Sequence, residues 1–451
     1  MNYPAYEKTT ETGLPWVPVV PAHWEIKRLR FLAEGIEQGW SPQCNNYPAE
    51  GDEWGVLKVG CVNGNAFNPQ ENKQLPVELE PRTEYQIQLG DILISRANTR
   101  ELLGSAGIVD RLTTKLLLCD KLYRLRVNDT IDKRFLVNYL RSKPARAHYE
   151  CEANGTSGSM QNIGQDTIAN LSVPLPPLDE QHAIVAFLDE QTTRLDALLT
   201  RQQCLLRLLK EKRTAVITQA VTQGLDAATP RRLSGLAWLG EVPAHWKVKP
   251  LRYLSKNVKT GGTPSSSGPD YFEDEGVSWY TPGDFDGALT LKSGAKKLSP
   301  DAFASGDAAL FPAGSVMLVG IGATLGKVGV SENPCSANQQ INAVVPIAEI
   351  NSYFLAYFLI ASNSEIKLMS NASTIGILNQ EKTKQLTILL PPKQEQDAIV
   401  QFLQVAESKN QATRKTAMEA IKRIQEYRAA LITAAVTGQI DVRAAVTAEA
   451  V

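Results

Sequence analysis

The feature that most constrains this chain is that its sequence is written twice. The five residues VPAHW occupy positions 20–24 and return at 242–246. Just upstream, the pattern Gly-Leu-x-Trp at 13–16 returns at 235–238 with the same offset of 222. Later matches keep this order, so the sequence predicts two copies of one folding unit. A solenoid would need shorter and more numerous repeats.

The two copies resemble each other most at their edges. LPP at 175–177 returns at 390–392, and RTAVITQAVTQGLD at 213–226 returns as RAALITAAVTGQID at 428–441, both with an offset of 215. The interiors, roughly 43–160 and 265–375, match only at structural Gly, Pro and apolar positions. One scaffold with two different interiors is the pattern expected of modules that do the same job on two targets.

Composition is that of an ordinary soluble globular protein. The 451 residues suggest two to four domains, and hydrophobic residues make up 43% and charged residues 21%. No apolar run approaches the roughly 20 residues of a membrane helix, and the N-terminus lacks the order of a secretory signal. The six cysteines are scattered without a CxxC pair, which predicts free thiols in a cytoplasmic protein.

Each copy divides into a globule and a long helix. Short β-like runs bounded by Gly, Pro and Asn, with one helix predicted at 132–149 and its counterpart at 351–369, indicate an α+β globule. The whole chain is therefore predicted to be α+β, with two globular domains in a pseudo-twofold repeat separated by two long antiparallel coiled-coil helices. The predicted domains are a first globule at 1–175, a helix at 176–224, a second globule at 225–390, a helix at 391–440 and a tail at 441–451.

Alternating steps of four and three residues, the spacing of a coiled-coil seam, meet apolar side chains along both helical stretches. The first stretch carries Leu where the second carries Ala, so we predict that the two helices pair. The alternative is that each packs on its own globule. Equal lengths in the two copies suggest a ruler of about 65–70 Å. The predicted seam consists of Ile184, Leu188, Leu195, Leu198, Leu205, Leu209, Val216, Ile399, Leu403, Ala417, Ala420, Ile424, Tyr427 and Leu431.

Motifs for catalysis are missing from the sequence. A phosphate loop at 320–328 would need Gly and Ser or Thr where Ile321 and Val328 stand. His23 and His245 lie in the duplicated PAHW, and their presence in both copies favours a structural role. No His and Cys cluster has metal-ligand spacing. We therefore predict no catalytic, cofactor-binding or metal-binding residue in this chain.

Some loops suit the reading of nucleic acid instead. Net charge is only −1, but residues 111–146 hold ten Lys or Arg against three acidic residues, a possible phosphate footprint or a solvated basic face. Arg and Asn after a predicted strand have the donor geometry that pairs with guanine and adenine. The candidate DNA-contacting residues are Arg96, Asn98, Arg100, Lys115 and Lys121 in the first copy, and Ser265, Ser266, Tyr271, Lys292, Lys327 and Gln339 in the second.

Several motifs together carry a resemblance to a family. They are the duplicated P-x-H-W, the LGSAGIV and LGKVGVS elements, SANQQIN, and an LPPxxEQ that opens a long helix ending in AVT and a nearby glycine. In this combination the chain resembles the DNA-specificity subunit of type I restriction–modification enzymes along essentially its whole length.

The resemblance implies a non-catalytic subunit. Two target-recognition domains would read the halves of a split double-stranded DNA site, and two spacer helices would hold them apart. The helices would also dock modification subunits, of which two are expected. S-adenosylmethionine would bind on the modification subunits, and ATP and Mg would act on a restriction subunit with translocase and nuclease activity. The alternatives are a duplicated coiled-coil adaptor that binds only protein, and an enzyme with an unrecognised site.

Overall fold

The computed structural model describes residues 3–64, 66–154, 160–264, 271–370 and 376–443. The chain divides into two compact units, one formed by Met1–Gln202 with Glu419–Val451 and the other by Gln203–Met418. Each unit contains one globule and parts of both long helices.

In the first unit, the four-stranded antiparallel sheet β4-β11-β7-β9 forms the centre of the globule. A smaller sheet, β10-β5-β6, and the pairs β1-β2, β13-β3 and β12-β8 complete it. The strands are β1 (Thr9–Leu14), β2 (Val17–Pro21), β3 (Glu25–Arg28), β4 (Ala33–Gln38), β5 (Trp54–Leu57), β6 (Asn72–Gln74), β7 (Ile92–Ser95), β8 (Ala97–Asn98), β9 (Ala106–Ile108), β10 (Lys115–Leu117), β11 (Leu122–Val127), β12 (Gln161–Asn162) and β13 (Ser172–Leu175). The short helices are α1 (Lys133–Leu140), α2 (Lys143–Glu152) and α3 (Gln165–Ala169), with 3-10 turns at Leu29–Phe31, Val59–Val62 and Thr83–Tyr85.

The second unit repeats this plan. Its central sheet runs β17-β25-β22-β23 in the same order and gains a fifth strand, β20, at one edge. The strands are β14 (Arg231–Leu233), β15 (Glu241–Pro243), β16 (Lys247–Pro250), β17 (Ser255–Thr260), β18 (Phe272–Glu273), β19 (Val277–Tyr280), β20 (Thr290–Leu291), β21 (Lys296–Leu298), β22 (Val316–Val319), β23 (Val328–Ser331), β24 (Cys335–Ala337), β25 (Ile341–Pro346) and β26 (Thr387–Leu390). The short helices are α4 (Asp301–Ala304), α5 (Ser352–Ala361), α6 (Asn363–Met369) and α7 (Gln380–Gln385), with 3-10 turns at Leu251–Tyr253 and Pro282–Asp284.

The helices predicted at 132–149 and 351–369 are each broken in two. In the first copy the break falls at Ser142, because Pro144 lacks an amide hydrogen and fits only the first turn of a new helix. In the second copy it falls at Ser362, whose hydroxyl donates to the Phe358 carbonyl oxygen at 2.8 Å. A serine that bonds back to its own helix competes with helix continuation.

The first long helix spans Leu178–Gln223 and the second spans Lys393–Val436. Together with the mixed sheets they confirm the predicted α+β fold class. Within the described ranges, no helix combines the length and apolarity needed to cross a membrane.

Within each unit the two long helices pack against each other and against the globule. In the first unit Ile184 and Leu188 share a core with Leu431. In the second, Ile217 shares a core with Leu403. Each long helix therefore begins on the globule of its own copy and ends on the globule of the other copy. The sequence left two arrangements open, pairing of the two helices and packing of each helix on its own globule. Both occur in the same helices.

Ion pairs join the two long helices in both units, and in the second unit their order is antiparallel, since Leu209 and then Arg213 contact Asn410 and then Glu407. In the first unit the Arg428 Nε lies 3.1 Å from the Asp196 Oδ1. In the second unit Arg213 pairs with Glu407. Arg213 and Arg428 are equivalent in the repeat, at an offset of 215, so each helix offers the same cation to an acid on the other.

The observed packing face differs from the predicted seam at three of its fourteen positions. Leu198 and Leu205 are 42% and 37% exposed, whereas the adjacent Leu199 and Leu206 are half-buried. Tyr427 is likewise 40% exposed beside the half-buried Arg428. Of the other predicted seam residues, those that are buried are Ile184, Leu188, Ile399, Leu403, Ala417 and Leu431, and those that are half-buried are Leu195, Leu209, Val216, Ala420 and Ile424.

Candidate nucleic-acid interface and its anchoring to the long helices

The duplicated His-Trp pair binds the glutamate that opens the first long helix. The Glu180 carboxylate accepts from the Trp24 Nε1 at 3.1 Å and from the Tyr6 hydroxyl, and it lies 2.7 Å from the His23 Nε2. Its side chain is 7% exposed. Burial and the neighbouring carboxylate raise the pKa of Tyr6 well above its ordinary value, so the phenol remains a donor. The predicted structural role of His23 thus has a specific partner.

The second copy repeats this His-Trp-Glu cluster, which we call the anchor of the long helix, with a more exposed carboxylate. The Glu395 carboxylate accepts from the Trp246 Nε1 at 3.1 Å and lies 2.8 Å from the His245 Nε2. Ala228 occupies the position that the offset of 222 assigns to the counterpart of Tyr6. The Glu395 side chain is 29% exposed. The anchor is therefore shared in geometry but differs in burial.

The glutamine after each glutamate ties the long helix to the short helix of the globule. The Gln181 Oε1 accepts from the Asp132 amide at 2.6 Å, and its Nε2 donates to the Pro176 carbonyl oxygen at 2.8 Å. In the second copy the Gln396 Oε1 accepts from the Asn351 amide at 2.7 Å. Asp132 and Asn351 are the N-caps of α1 and α5. A buried, fully bonded amide fixes the two helices relative to each other.

The far end of each long helix rests on the PAHW motif of the opposite copy. After the second helix, Gly438 has φ +69°, and a Cβ there would lie 2.2 Å from the Pro21 Cδ. After the first helix, Gly224 has φ +76°, and its Cβ would lie 3.4 Å from the Trp246 ring. Glycine at both sites supplies the left-handed backbone that ends the helix.

The first candidate reading loop follows β7 and is supported by α2. The Arg146 guanidinium donates to the carbonyl oxygens of Arg100 at 3.1 Å, Leu103 at 3.4 Å and Glu101. One turn later, the Glu150 carboxylate lies 3.0 Å from the Arg100 Nη2. Arg146 was not predicted as a site residue, because a cation that binds carbonyl oxygens looks like any surface arginine in sequence.

The three polar residues nominated in this loop differ in accessibility. Arg100 is exposed, with its side chain 68% accessible. Arg96 is half-buried; it lies over the Tyr123 ring at 5.8 Å and donates to the Asp120 carbonyl oxygen at 3.3 Å. Asn98 is 8% exposed, and its amide donates to the Asn63 Oδ1 at 2.9 Å. The structure therefore places Asn98 beneath the loop, so the prediction that it presents its amide to a base is corrected.

The basic stretch at 111–146 does not form one face. Arg124 is 2% exposed and pairs with Glu37 and Asp91. Burial, with a smaller effect of Arg428, lowers the pKa of Arg141 to about 10, so it still carries its charge at neutral pH. Lys115 and Lys121 lie exposed, and the Lys115 Nζ is 5.8 Å from the Trp54 ring centroid.

The candidates of the second copy fall into three groups. Ser265 and Ser266 lie outside the described residues. Tyr271 is 8% exposed and donates to the Asp307 Oδ2 at 2.8 Å, so it is a core residue and not the exposed loop aromatic that was predicted. The remaining candidates, all exposed, are Lys292, Lys327 and Gln339.

Two of these exposed residues make contacts within the unit. The Lys327 Nζ donates to the Phe285 carbonyl oxygen at 2.8 Å. The Gln339 Oε1 accepts from the Thr263 hydroxyl at 2.5 Å. In the part of the chain that the structure describes, no group of three or more His, Cys, Asp or Glu is placed to hold a metal ion.

Steric contact explains why the Leu-Gly pair that closes each loop has a glycine. Gly104 has φ +73°, and a Cβ there would lie 2.1 Å from the ring of the fully buried Tyr149. At the equivalent Gly326, φ is +84° and a Cβ would lie 2.2 Å from the Asn363 Nδ2. Each loop thus passes directly against the short helix behind it.

We expect Gly104→Ala to lower the free energy of unfolding by about 2–4 kcal/mol, because it adds left-handed strain to overpacking against Tyr149. Gly13 is the matched control, since it has φ +71° and open space where a Cβ would stand. Gly13→Ala should cost only about 1–2 kcal/mol. Urea denaturation of both variants measures the difference, and equal costs would show that the ring contact is unimportant.

Comparisons with known proteins match both copies. A family model described as the type I restriction modification DNA specificity domain matches residues 21–204 and 243–423. Each match begins at the proline of PAHW and runs through the globule into the following long helix. The matched residues therefore include the His, Trp and Glu of both anchors described above.

Individual relatives agree with this. The chain is 30% identical over 186 residues to the type I restriction enzyme EcoEI specificity subunit of Escherichia coli, covering 41% of this chain and 31% of that protein. It is 23% identical over 447 residues to the putative type I restriction enzyme MjaX specificity subunit of Methanocaldococcus jannaschii, covering 97% of both. A chain from a solved type I R-M system is similar in fold, with a TM-score of 0.70 at 18% identity over 93% of this chain and 99% of that one.

Proposed function

Because the chain belongs to the type I restriction–modification DNA specificity family, we propose that it reads a bipartite double-stranded DNA site, one half with each globule. The observation that carries this proposal is the contrast between anchors and interiors. The His-Trp-Glu anchor has the same donor and acceptor atoms in both copies, while the interiors match only at structural positions. Two globules that are anchored in the same way but differ in their interior sequences suit two different half-sites.

The proposed function requires partner subunits. Modification subunits, two per complex, carry S-adenosylmethionine and transfer the methyl group to adenine. Restriction subunits bind ATP and Mg and cleave the DNA. The present chain contributes recognition only.

Exposed cations are the side chains proposed to meet DNA. In the first unit these are Arg100, Lys115 and Lys121; in the second they are Lys292 and Lys327. Arg100 is the one whose fork-shaped donors suit guanine in the major groove, and the lysines suit phosphates. The second set is poorer in guanidinium groups, so its half-site is read with fewer bidentate contacts.

The long helices set the spacing of the two half-sites. A continuous helix of 46 residues is about 69 Å long at about 1.5 Å per residue. At about 3.4 Å per base pair, this limits the separation of half-site centres to at most about 20 base pairs. We expect the separation to be nearer one helical turn of DNA.

Four residues inserted into both helices should lengthen the preferred gap by up to about two base pairs. The insertions belong after Gln202 and after Met418, where the two compact units meet along the chain, so contacts inside each unit persist. Mapping methylated adenines gives the new gap. Both half-site sequences should stay the same, and an unchanged gap would contradict the ruler.

The same measurement on the unaltered chain tests the function itself. Sequencing of methylated adenines, in cells that make this chain with its neighbouring subunits, should yield two different short motifs at a constant distance. The protein-only adaptor predicts normal assembly of partners without any sequence-selective methylation. Methyl transfer or cleavage by the purified chain alone would favour an enzyme.

A further inference from the structure

An aromatic ring stands exposed at the same place in both copies. Phe31 is 67% exposed and Tyr253 is 60% exposed. They are equivalent at the offset of 222 and end the matching 3-10 turns Leu29–Phe31 and Leu251–Tyr253. One exposed aromatic is ordinary on a protein surface. Its repetition in two copies whose interiors have diverged needs a cause common to both.

Two of the other aromatic pairs aligned by the repeat have internal explanations in the described residues. Trp24 and Trp246 are buried and donate to the anchor glutamates. Phe135 and Phe354 are fully buried in the two cores. Folding therefore accounts for those rings, but it does not require a ring at positions 31 and 253.

Each exposed ring lies beside cations. Arg30 and Arg252 immediately precede the rings and are themselves exposed. The Arg252 guanidinium carbon lies 4.9 Å from the Tyr253 ring centroid. Arg30 donates to the Asn170 Oδ1, which holds it against the turn.

More charges surround the two turns. Arg28 and Lys256 add exposed positive charge to them. The closest acid in sequence to the first turn, Glu34, is exposed, and Glu25 is paired with Lys27 at 2.7 Å. An aromatic ring with an arginine and a basic border has the composition of a protein-binding hot spot and is complementary to an acidic surface.

We propose that the Arg30–Phe31 and Arg252–Tyr253 pairs are two equivalent docking points for one kind of protein, bound once by each copy. This rests on the proposed function, in which the modification subunit is the partner present twice. Each ring enters an apolar pocket with an acidic edge on that subunit. A surface repeated in both copies fits a partner that is the same on both sides, whereas the half-sites differ.

Duplex DNA fits this feature less well. Its base faces are stacked inside the helix, so a ring outside the grooves meets only sugar and phosphate. Aromatic side chains gain most from nucleic acid where bases are unstacked. The cations alone would suit phosphates, but the paired rings favour an apolar pocket.

The test uses the full chain purified together with its modification subunits. Phe31→Ala and Tyr253→Ala should each weaken the binding of one modification subunit by at least tenfold. Native mass spectrometry would detect this as a complex that lacks one copy of that subunit. The double variant should lose both. Leu89→Ala and Leu310→Ala are matched controls, since these side chains are 64% and 54% exposed without repeated counterparts, and both should assemble fully.

The outcomes separate this inference from the proposed function. If the unaltered chain does not assemble with modification subunits, the proposed function fails first. If it assembles and the double variant assembles equally well, only the docking points are wrong. If the double variant assembles but binds every duplex more weakly, the rings contact DNA and the inference is overturned. A photoreactive phenylalanine analogue in place of Phe31 should crosslink to the modification subunit and not to bound DNA.

Discussion

A chain that stops after Gln439 is expected to lose the stable fold of its first unit. Ile440 and Val442 are 6% and 0% exposed and belong to the core that contains Trp24. Burial of two such side chains contributes about 3–6 kcal/mol, a large share of the 5–15 kcal/mol that typically stabilises a domain. Calorimetry of the truncated chain should therefore show the first unit melting at much lower temperature.

The repeat provides the control for this prediction. Leu225 is the counterpart of Ile440 at the offset of 215, but it is 46% exposed. Ile440→Ala should destabilise by about 2–4 kcal/mol and Leu225→Ala by less than about 0.5 kcal/mol. A chain ending after Arg443 is the reference for this truncation, since it keeps both side chains. Unchanged melting of the chain that ends at Gln439 would contradict the proposed role of these residues in the core.

The same contacts explain what the sequence could and could not predict about the architecture. The ordered repeat predicted two copies of one scaffold, and the central sheets do share their strand order. It did not predict that each globule is completed by the end of the other copy's helix. That arrangement depends on contacts such as Ile440 with the first core, which join positions more than four hundred residues apart and leave no local pattern.

The displaced packing face has a local reason. The first long helix contains consecutive leucines at 198–199 and at 205–206. Either member of each pair satisfies a step of three or four, so periodicity alone does not choose between them. The choice is made by the partner helix. In the first unit its Arg428 pairs with Asp196, which lies one turn before Leu199 and therefore on the same face of the helix.

Two candidate site residues were placed wrongly, because the prediction used side-chain chemistry without burial. Asn98 has the right donors for adenine, yet they bind Asn63 inside the protein. Tyr271 looked like a loop aromatic but packs in a core with Trp279. Conversely, Arg146 supports the loop that presents Arg100, although only its neighbours in space reveal this role.

The two anchor glutamates share geometry but not burial, so their removal should have unequal costs. Glu180→Ala should destabilise the first unit by about 3–5 kcal/mol, because it leaves the buried Trp24 Nε1 and Tyr6 hydroxyl without their acceptor. Glu395→Ala should cost about 1–2 kcal/mol in the second unit. There only one buried donor, the Trp246 Nε1, loses its acceptor. The carboxylate is 29% exposed and the His245 side chain 46% exposed, so water can replace the lost acceptor for the histidine. Urea denaturation followed by hydrogen exchange assigns each loss to its unit.

Conservative variants separate charge from hydrogen bonding at these anchors. Glu180→Gln keeps one carbonyl oxygen as an acceptor but removes the negative charge beside His23, so its cost should fall between those of the unaltered chain and Glu180→Ala. Tyr6→Phe removes one donor. Combined with Glu180→Ala in a double variant, it should recover part of the lost stability, since one fewer buried group is then unsatisfied. If Glu395→Ala proves as costly as Glu180→Ala, burial does not set the strength of the anchor. Its strength would then depend on the His-Trp pair common to both copies.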